Sequence, residues 1–287
     1  MGLLYRQDNQ EITVTGYEGE VRHLLIPEEA EGLPVRRIAH SAFAHRMDLV
    51  YVRLPAALWY LERFAFYGCR NLGHLCLHDG IREYFDGVTG QCVSLKEIEL
   101  ELSGGGYTVL RDMLADNDRT VRFSLNLPDG TARLTFPDYL AEYQEDTRAR
   151  AIHMHIEGAG FTYRECVSRS AIDFRGYDRL FDRVRYNQSE LAVRIALDRL
   201  CFPYHLESPA QAQYEAFVRE NAAFALREVI RLQETVWLTY LSGQKLLPTD
   251  VVQEGIRLAS GQGMTEYVSI LMASQQAGPR PGRRMEL

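Results

Sequence analysis

One pattern at a fixed spacing constrains this chain more than any other feature. Val52-Arg53-Leu54-Pro55 aligns over Leu75-Cys76-Leu77-His78 and Ile98-Glu99-Leu100-Glu101 at a constant offset of 23 residues. Leu49, Leu72 and Leu95 fall on the same grid, as do Ile38, Leu61 and Tyr84, and Ala42-Phe43 falls on Ala65-Phe66. One step earlier, His23-Leu24-Leu25-Ile26-Pro27 matches Tyr51-Val52-Arg53-Leu54-Pro55 once a five-residue insertion around Glu31-Gly32-Leu33-Pro34 is allowed. A period of about 20–29 residues with one short alternating strand per copy is the signature of a leucine-rich solenoid, each turn burying its leucines against the next. No single turn folds alone: a buried Leu or Phe contributes about 1.5–3 kcal/mol, against the ordering entropy of the whole turn. Stacking is therefore obligatory, and so are end caps.

Residues between the buried ones in a strand point the other way. The fixed offset stacks them into columns: His23, Tyr51, His74 and Glu97; then Leu25, Arg53, Cys76 and Glu99; then a third ending in His78 and Glu101. Tyr and Arg are enriched at binding hot spots. The candidate protein-binding residues are accordingly His23, Tyr51, Arg53, His74, Cys76, Glu97 and Glu99, on columns expected to be exposed. A plain solvated sheet face is the competing reading.

The run from Leu33 to Leu77 resembles the BspA-type leucine-rich repeat of bacterial and protist proteins, whose units read leucine-proline, isoleucine, alanine-phenylalanine, cysteine. Leu54-Pro55, Leu61, Ala65-Phe66 and Cys69 carry that order, as do Ile26-Pro27, Ile38 and Ala42-Phe43. The lead-in Ile12-Thr13-Val14-Thr15-Gly16-Tyr17 is similar to what commonly precedes the first repeat, so the resemblance spans residues 12–102. It implies a solenoid that binds other proteins. Because the family is often found in surface-exposed, adhesive proteins, it also makes a surface adhesin an alternative. The chain departs from the pattern twice: Val88-Thr89 replaces Ala-Phe in the third copy, and Arg46 stands where the cysteine would be. Irregular packing is expected at both ends of the array.

Composition narrows the function. With 32 basic against 39 acidic residues the net charge is −7, which argues against a nucleic-acid binder, since that role needs concentrated positive charge. Five cysteines, Cys69, Cys76, Cys92, Cys166 and Cys201, are an odd number in a chain that does not need staples; they read as buried small apolar residues or free thiols in a reducing compartment. The start, MGLLYRQDNQ, lacks a basic region followed by a long apolar core, and the apolar runs fall short of the ~20 residues of a membrane helix. The expectation is a cytoplasmic chain without membrane insertion.

Past the repeats, Ser103-Gly104-Gly105-Gly106 reads as a turn before a helical stretch, Tyr107 to Leu114, because no Gly-Lys-Ser/Thr accompanies it. Val121, Phe123, Leu125 and Leu127 alternate with polar residues and turn at Pro128-Asp129-Gly130 into Ala132, Leu134 and Phe136, a hairpin. A short helix is expected over Asp138 to Glu145. A second hairpin is expected from Ile152, Met154 and Ile156 through Glu157-Gly158-Ala159-Gly160 to Phe161 and Tyr163, the whole segment capping the solenoid edge. From about Asp173 the period becomes helical. Asn187 with Glu190 reads as a capping box for a helix that Pro203 ends, and further helices follow from Ser208, Ala222, Thr249 and beyond Gly263. The closing stretch, RLASGQGMTEYVSILMAS, resembles an ankyrin unit in Ala259, its glycine turn, Val268 and Leu271. The expected fold class is mixed α and β, in four parts: solenoid 1–103, β-rich cap 104–170, helical domain 171–276 as antiparallel helix pairs, and a disordered tail 277–287.

No Ser-His-Asp, Cys-His, paired-carboxylate or phosphate-loop pattern stands out. His153 and His155, with Glu157, and the set His74, Cys76 and His78 carry ligand-type side chains. No HExxH or CxxC accompanies them, and alternation on a polar face already explains the spacing. No cofactor and no metal is assigned. The leading expectation is a non-catalytic interaction or scaffold protein with a protein partner. An enzyme, or a small-ligand- or metal-binding protein, with a site between solenoid and helices is the alternative.

Overall fold

The computed structural model describes residues 2–104, 106–146, 151–186 and 189–276, which fall into two compact units, Met1–Arg183 and Val184–Leu287. The first unit opens with an antiparallel pair, β1 (Gly2–Asp8) and β2 (Glu11–Glu18). The repeats follow as short rungs: β3 (His23–Leu25), β4 (Glu29–Ala30), β5 (Leu33–Ile38), β6 (Tyr51–Arg53), β7 (Tyr60–Leu61), β8 (His74–His78), β9 (Glu83–Tyr84) and β10 (Glu97–Glu101). Each turn gives one rung to each of two sheets. One sheet runs β1-β2-β5-β7-β9, with β4 paired on β5; the other contains β10-β8-β6-β3.

The arithmetic of the repeat becomes lateral register. Val52 faces Leu75 and Leu75 faces Ile98, all parallel, while Leu24 faces Val52 across the longer first interval. The insertion is the β4–β5 pairing of Glu29 with Pro34 and Ala30 with Leu33, which leaves Glu31-Gly32 as its turn. Leu24, Val52, Leu75 and Ile98 form one buried column, and the Ala-Phe side of the turn forms another, where the Phe43 and Phe66 rings stack at 5.2 Å. The repeat also dictates backbone: left-handed φ recurs at Ser41, Phe64 and Gly87, and again at His45, Gly68 and Gln91, each series spaced by the repeat. Only Gly adopts that conformation without a steric cost, so Phe64 and Gln91 are held there by the stacked turns.

Both departures from the repeat mark its ends. Inside the array the two cysteines that follow the Ala-Phe position donate their thiols to the phenylalanine carbonyl of the preceding turn, Cys69 to Phe43 (3.0 Å) and Cys92 to Phe66 (3.2 Å). The first turn has no such predecessor. There Arg46 donates instead to the carbonyls of Tyr17 (2.8 Å) and Gly19 (2.5 Å), steadied by Asp48. At the other end, Thr89 and Gly87 donate their amides to Asp116 at 3.3 and 3.0 Å, and Tyr84 its hydroxyl at 2.9 Å. Asp116 closes α1 (Thr108–Asp116).

After α1, β11 (Val121–Leu127) and β12 (Gly130–Phe136) form the expected hairpin. β11 also lies parallel to β10, so it is a further rung of that second sheet, whose outward columns form a ridge, and β12 alone turns back to close the edge. Beyond it two expectations are corrected. The helix expected over Asp138 to Glu145 is a strand, β13 (Leu140–Asp146), paired antiparallel along its length with β14 (Ala151–Glu157); an available partner edge outweighs a weak local propensity. The return strand expected at Phe161 and Tyr163 is a helix, α2 (Gly160–Glu165). Gly160 makes it possible, because a Cβ there would stand 2.2 Å from the Pro137 carbonyl oxygen. From α2 the buried Arg164 guanidinium donates to the carbonyls of Asn117, Pro137, Gly160 and Arg119. Burial lowers its pKa to about 10, so it stays charged while satisfying four carbonyls. Asp173 caps α3 (Phe174–Arg179) by accepting from Gly176, and α4 (Phe181–Val184) follows.

The second unit is helical: α5 (Ser189–Cys201), α6 (Ser208–Glu220), α7 (Ala222–Leu232), α8 (Thr235–Gly243), α9 (Thr249–Gly261) and α10 (Thr265–Gln276). Asn187 of the expected capping box, Gly105 and the tail 277–287 lie outside the described residues. Helix α8, with no expectation behind it, carries the buried Trp237, whose indole donates to the buried Asp198 at 3.2 Å. Gly255 lets α9 approach α7, since a Cβ would stand 2.5 Å from Leu226. Among the described residues no helix is long and apolar enough to cross a membrane.

Candidate functional site

The outward residues of the ridge sheet stand where the spacing places them. His23, Tyr51, His74 and Glu97 are lateral neighbours on β3, β6, β8 and β10, and Leu25, Arg53, Cys76 and Glu99 form the adjacent column. All seven candidate residues are thus gathered on one face. β11 extends the columns with Arg122 beside Glu97 and Ser124 beside Glu99, two positions missed because the β10–β11 interval, Ile98 to Phe123, is longer than the repeat.

The columns are cross-braced. The His23, Tyr51 and His74 rings follow one another at 5.9 and 5.0 Å, and Arg122 closes the row with an ion pair to Glu97 at 2.7 Å. Between the columns runs a directed chain of hydrogen bonds. Arg53 Nε donates to the Tyr51 hydroxyl (3.0 Å), Tyr51 meets Cys76 Sγ (3.1 Å), and the Cys76 thiol donates to Glu99 Oε2 (3.2 Å). Since the thiol proton is directed to Glu99, the Tyr51 proton is directed to sulfur.

One expectation is corrected here: Cys76 is outward-facing yet only 6% exposed. A short side chain flanked by Tyr51, Arg53 and Glu99 on neighbouring rungs is covered by their greater length. Burial, first, and the bond to Glu99 push its thiol pKa up against the opposing effect of Tyr51, so at neutral pH it is a protonated thiol rather than an activated nucleophile. Burial likewise raises the Tyr51 hydroxyl. The N-terminal part of the ridge is the more open to solvent, with Leu25 64% and the Arg53 side chain 58% exposed against 41% for the Glu99 side chain.

The other sheet carries a second outward column that the same spacing would have revealed had it been applied there. Arg36, Trp59 and Arg82 are one repeat apart, and both guanidiniums lie over the indole, at 3.9 and 3.7 Å from its centre. Arg37 stacks on Tyr60 in the same way at 4.1 Å. Of the histidine pair on β14, His155 approaches Glu157 at 3.4 Å with both side chains exposed, while the His153 side chain lies outside the described residues. His74 and Cys76 gather with Glu99 rather than with His78.

No family model matches the chain, and no curated protein matches it. Two solved structures are similar to part of it. A leucine-rich repeat protein of T. pallidum is 31% identical with a TM-score of 0.33, covering 34% of this chain and 50% of that one. A leucine-rich repeat protein from Bacteroides ovatus is 18% identical with a TM-score of 0.32, covering 36% and 30%. The chain thus spans half of the first protein's length and less than a third of the second's. Its own two-sheet solenoid and helical unit make the fold a mixed α and β leucine-rich-repeat architecture.

Proposed function

We propose that the chain is a non-catalytic interaction protein whose docking surface is the open end of the ridge, centred on Leu25, Tyr51 and Arg53. The observation that carries this is the cross-strand register: rungs of one sheet present aromatic, basic and apolar side chains at fixed spacing. The glutamates of β10 are engaged within the ridge, Glu97 by an ion pair with Arg122, Glu99 by the Cys76 thiol and Glu101 by the Asn126 amide. The exposed Leu25 and Arg53 thus offer an apolar contact beside a cation, which suits a partner presenting a carboxylate next to an apolar side chain.

The same proposal takes the chain as a BspA-type repeat protein with an ankyrin-like closing helix pair, a cytoplasmic location and four parts divided at residues 103, 170 and 276. The test is cross-linked capture from source-cell lysate by wild type and by the Tyr51→Ala, Arg53→Ala, His74→Ala triple variant. Truncating a hot-spot Tyr or Arg costs about 2 kcal/mol or more each, so the folded variant is expected to lose the captured protein. Equal capture by both would move the interface off the ridge.

A further inference from the structure

The geometry points to a divalent transition-metal site of the zinc class on the ridge, formed by His74 Nε2, Cys76 Sγ and a Glu99 carboxylate oxygen. These ligand atoms all lie within 4.8 Å of one another. Glu99 Oε1 is 3.3 Å from His74 Nε2, and Oε2 is 3.2 Å from Cys76 Sγ. Zinc holds nitrogen and oxygen at about 2.0–2.2 Å and sulfur at about 2.3 Å, so neighbouring ligands of a tetrahedral ion stand about 3.3–3.8 Å apart. The three atoms need to move only fractions of an ångström to a couple of ångströms to meet that spacing.

A second observation sets this cluster apart from ordinary polar pairing. His74 Nε2 is a buried nitrogen without a hydrogen-bond partner: Glu99 is near it but not aligned to accept or donate. An unsatisfied buried nitrogen costs free energy unless a ligand takes its lone pair. The fold supplies the rest of the preorganisation. His74 and Cys76 alternate on one strand and so share its outer face, and Glu99 faces Cys76 directly on the next rung. The preceding rung carries Tyr51 and Arg53 at the equivalent places and the following one Arg122 and Ser124, so among these rungs the donor set occurs at the β8–β10 junction.

One imidazole, one thiolate and one carboxylate make a borderline donor set that suits zinc better than magnesium or calcium. Binding replaces the S–H bond by an S–metal bond and releases that proton to solvent. Tyr51, 3.1 Å from sulfur, is placed to donate its hydroxyl to the thiolate, the outer-shell support such ligands use. Arg53 lies 3.9 Å from Glu99 Oε2 and opposes the ion's charge; its side chain is 58% exposed, so turning it to solvent breaks only the solvent-side bond to Tyr51. Three protein ligands leave a fourth position facing outward. The site stands whether or not the ridge also docks a protein.

The test is titration of the untagged, reduced chain with Co2+, followed by displacement with Zn2+. The expected result is one equivalent bound, a near-ultraviolet thiolate-to-cobalt band that is absent in Cys76→Ser, and a Zn2+ affinity at least about tenfold weaker in His74→Gln and in Glu99→Gln. Glu99→Gln keeps the size of a half-exposed side chain and so tests the site without disturbing the core. A wild type without a stoichiometric thiolate–cobalt band overturns the inference. So does a band that survives Cys76→Ser, or Glu99→Gln binding Zn2+ as tightly as wild type.

Discussion

Replacing Phe66 by Ala probes the principle on which the solenoid stands. Phe66 is 0% exposed, and its ring lies on that of Phe43 with planes 3° apart. Its backbone links survive the change, the amide to Val88 at 2.9 Å and the carbonyl to the Cys92 thiol at 3.2 Å. What disappears is the ring. Truncating a buried Phe costs about 3–5 kcal/mol, of which the aromatic pairing accounts for about 0.5–1.5. The ladder holds neighbouring rungs about 4.8 Å apart, so the turns cannot close on the cavity, and the expected loss is about 4 kcal/mol. Because each turn is stable only through its neighbours, the loss spreads to both. Hydrogen exchange read over β6, β8 and β10 should accelerate by about three orders of magnitude. Phe66→Leu, which keeps most of the volume, should accelerate it by about tenfold. If β8 amides in the folded Ala variant exchanged within tenfold of wild type, stacking of the Ala-Phe side would not be what holds the array.

Arg46→Ala removes the donors to Tyr17 and Gly19 and should cost about 1–2 kcal/mol by urea denaturation. Arg46 also holds the Asp48 carboxyl well below the ordinary range, so in wild type that stability is lost as pH falls below about 4, and the variant should show less of this acid loss. Asp116 behaves oppositely: burial raises its carboxyl, so the folded chain keeps the proton longer than the unfolded one. Stability therefore declines as pH rises from about 4 through the raised value, and a pH series of urea midpoints should show Asp116→Asn without that component. Burial pushes the Cys69 and Cys92 thiols to about 11 and about 12, so mass spectrometry after alkylation at neutral pH should find both unmodified in the native chain and modified in urea.

The ridge was legible because a strict repeat converts sequence offset into lateral register: the spacing from Tyr51 to His74 and on to Glu97 is the pairing itself. Even the anomalies at Arg46 and Val88-Thr89 pointed correctly to the ends of the array. What the sequence did not carry was anything set by partners outside the repeat. β11 joins the sheet at a longer interval. β13 is a strand because β14 lies beside it, and Arg164 gathers the carbonyls of Asn117, Arg119 and Pro137 from distant stretches with no local signal. The burial of Cys76 was hidden for a related reason, since the alternation of a strand says which way a side chain points but not how far its neighbours reach over it.

The central claim, that the open end of the ridge binds a protein, is met most directly by site-specific photo-cross-linking. A photoreactive residue is placed at Arg53 and, in a second chain, at Glu83 on the other sheet, and both are irradiated in source-cell lysate. A docking ridge gives one saturable protein adduct from position 53 that unlabelled wild type competes away, with none from position 83. Adducts of equal yield and identity from both positions, or an adduct from position 83 alone, would contradict it.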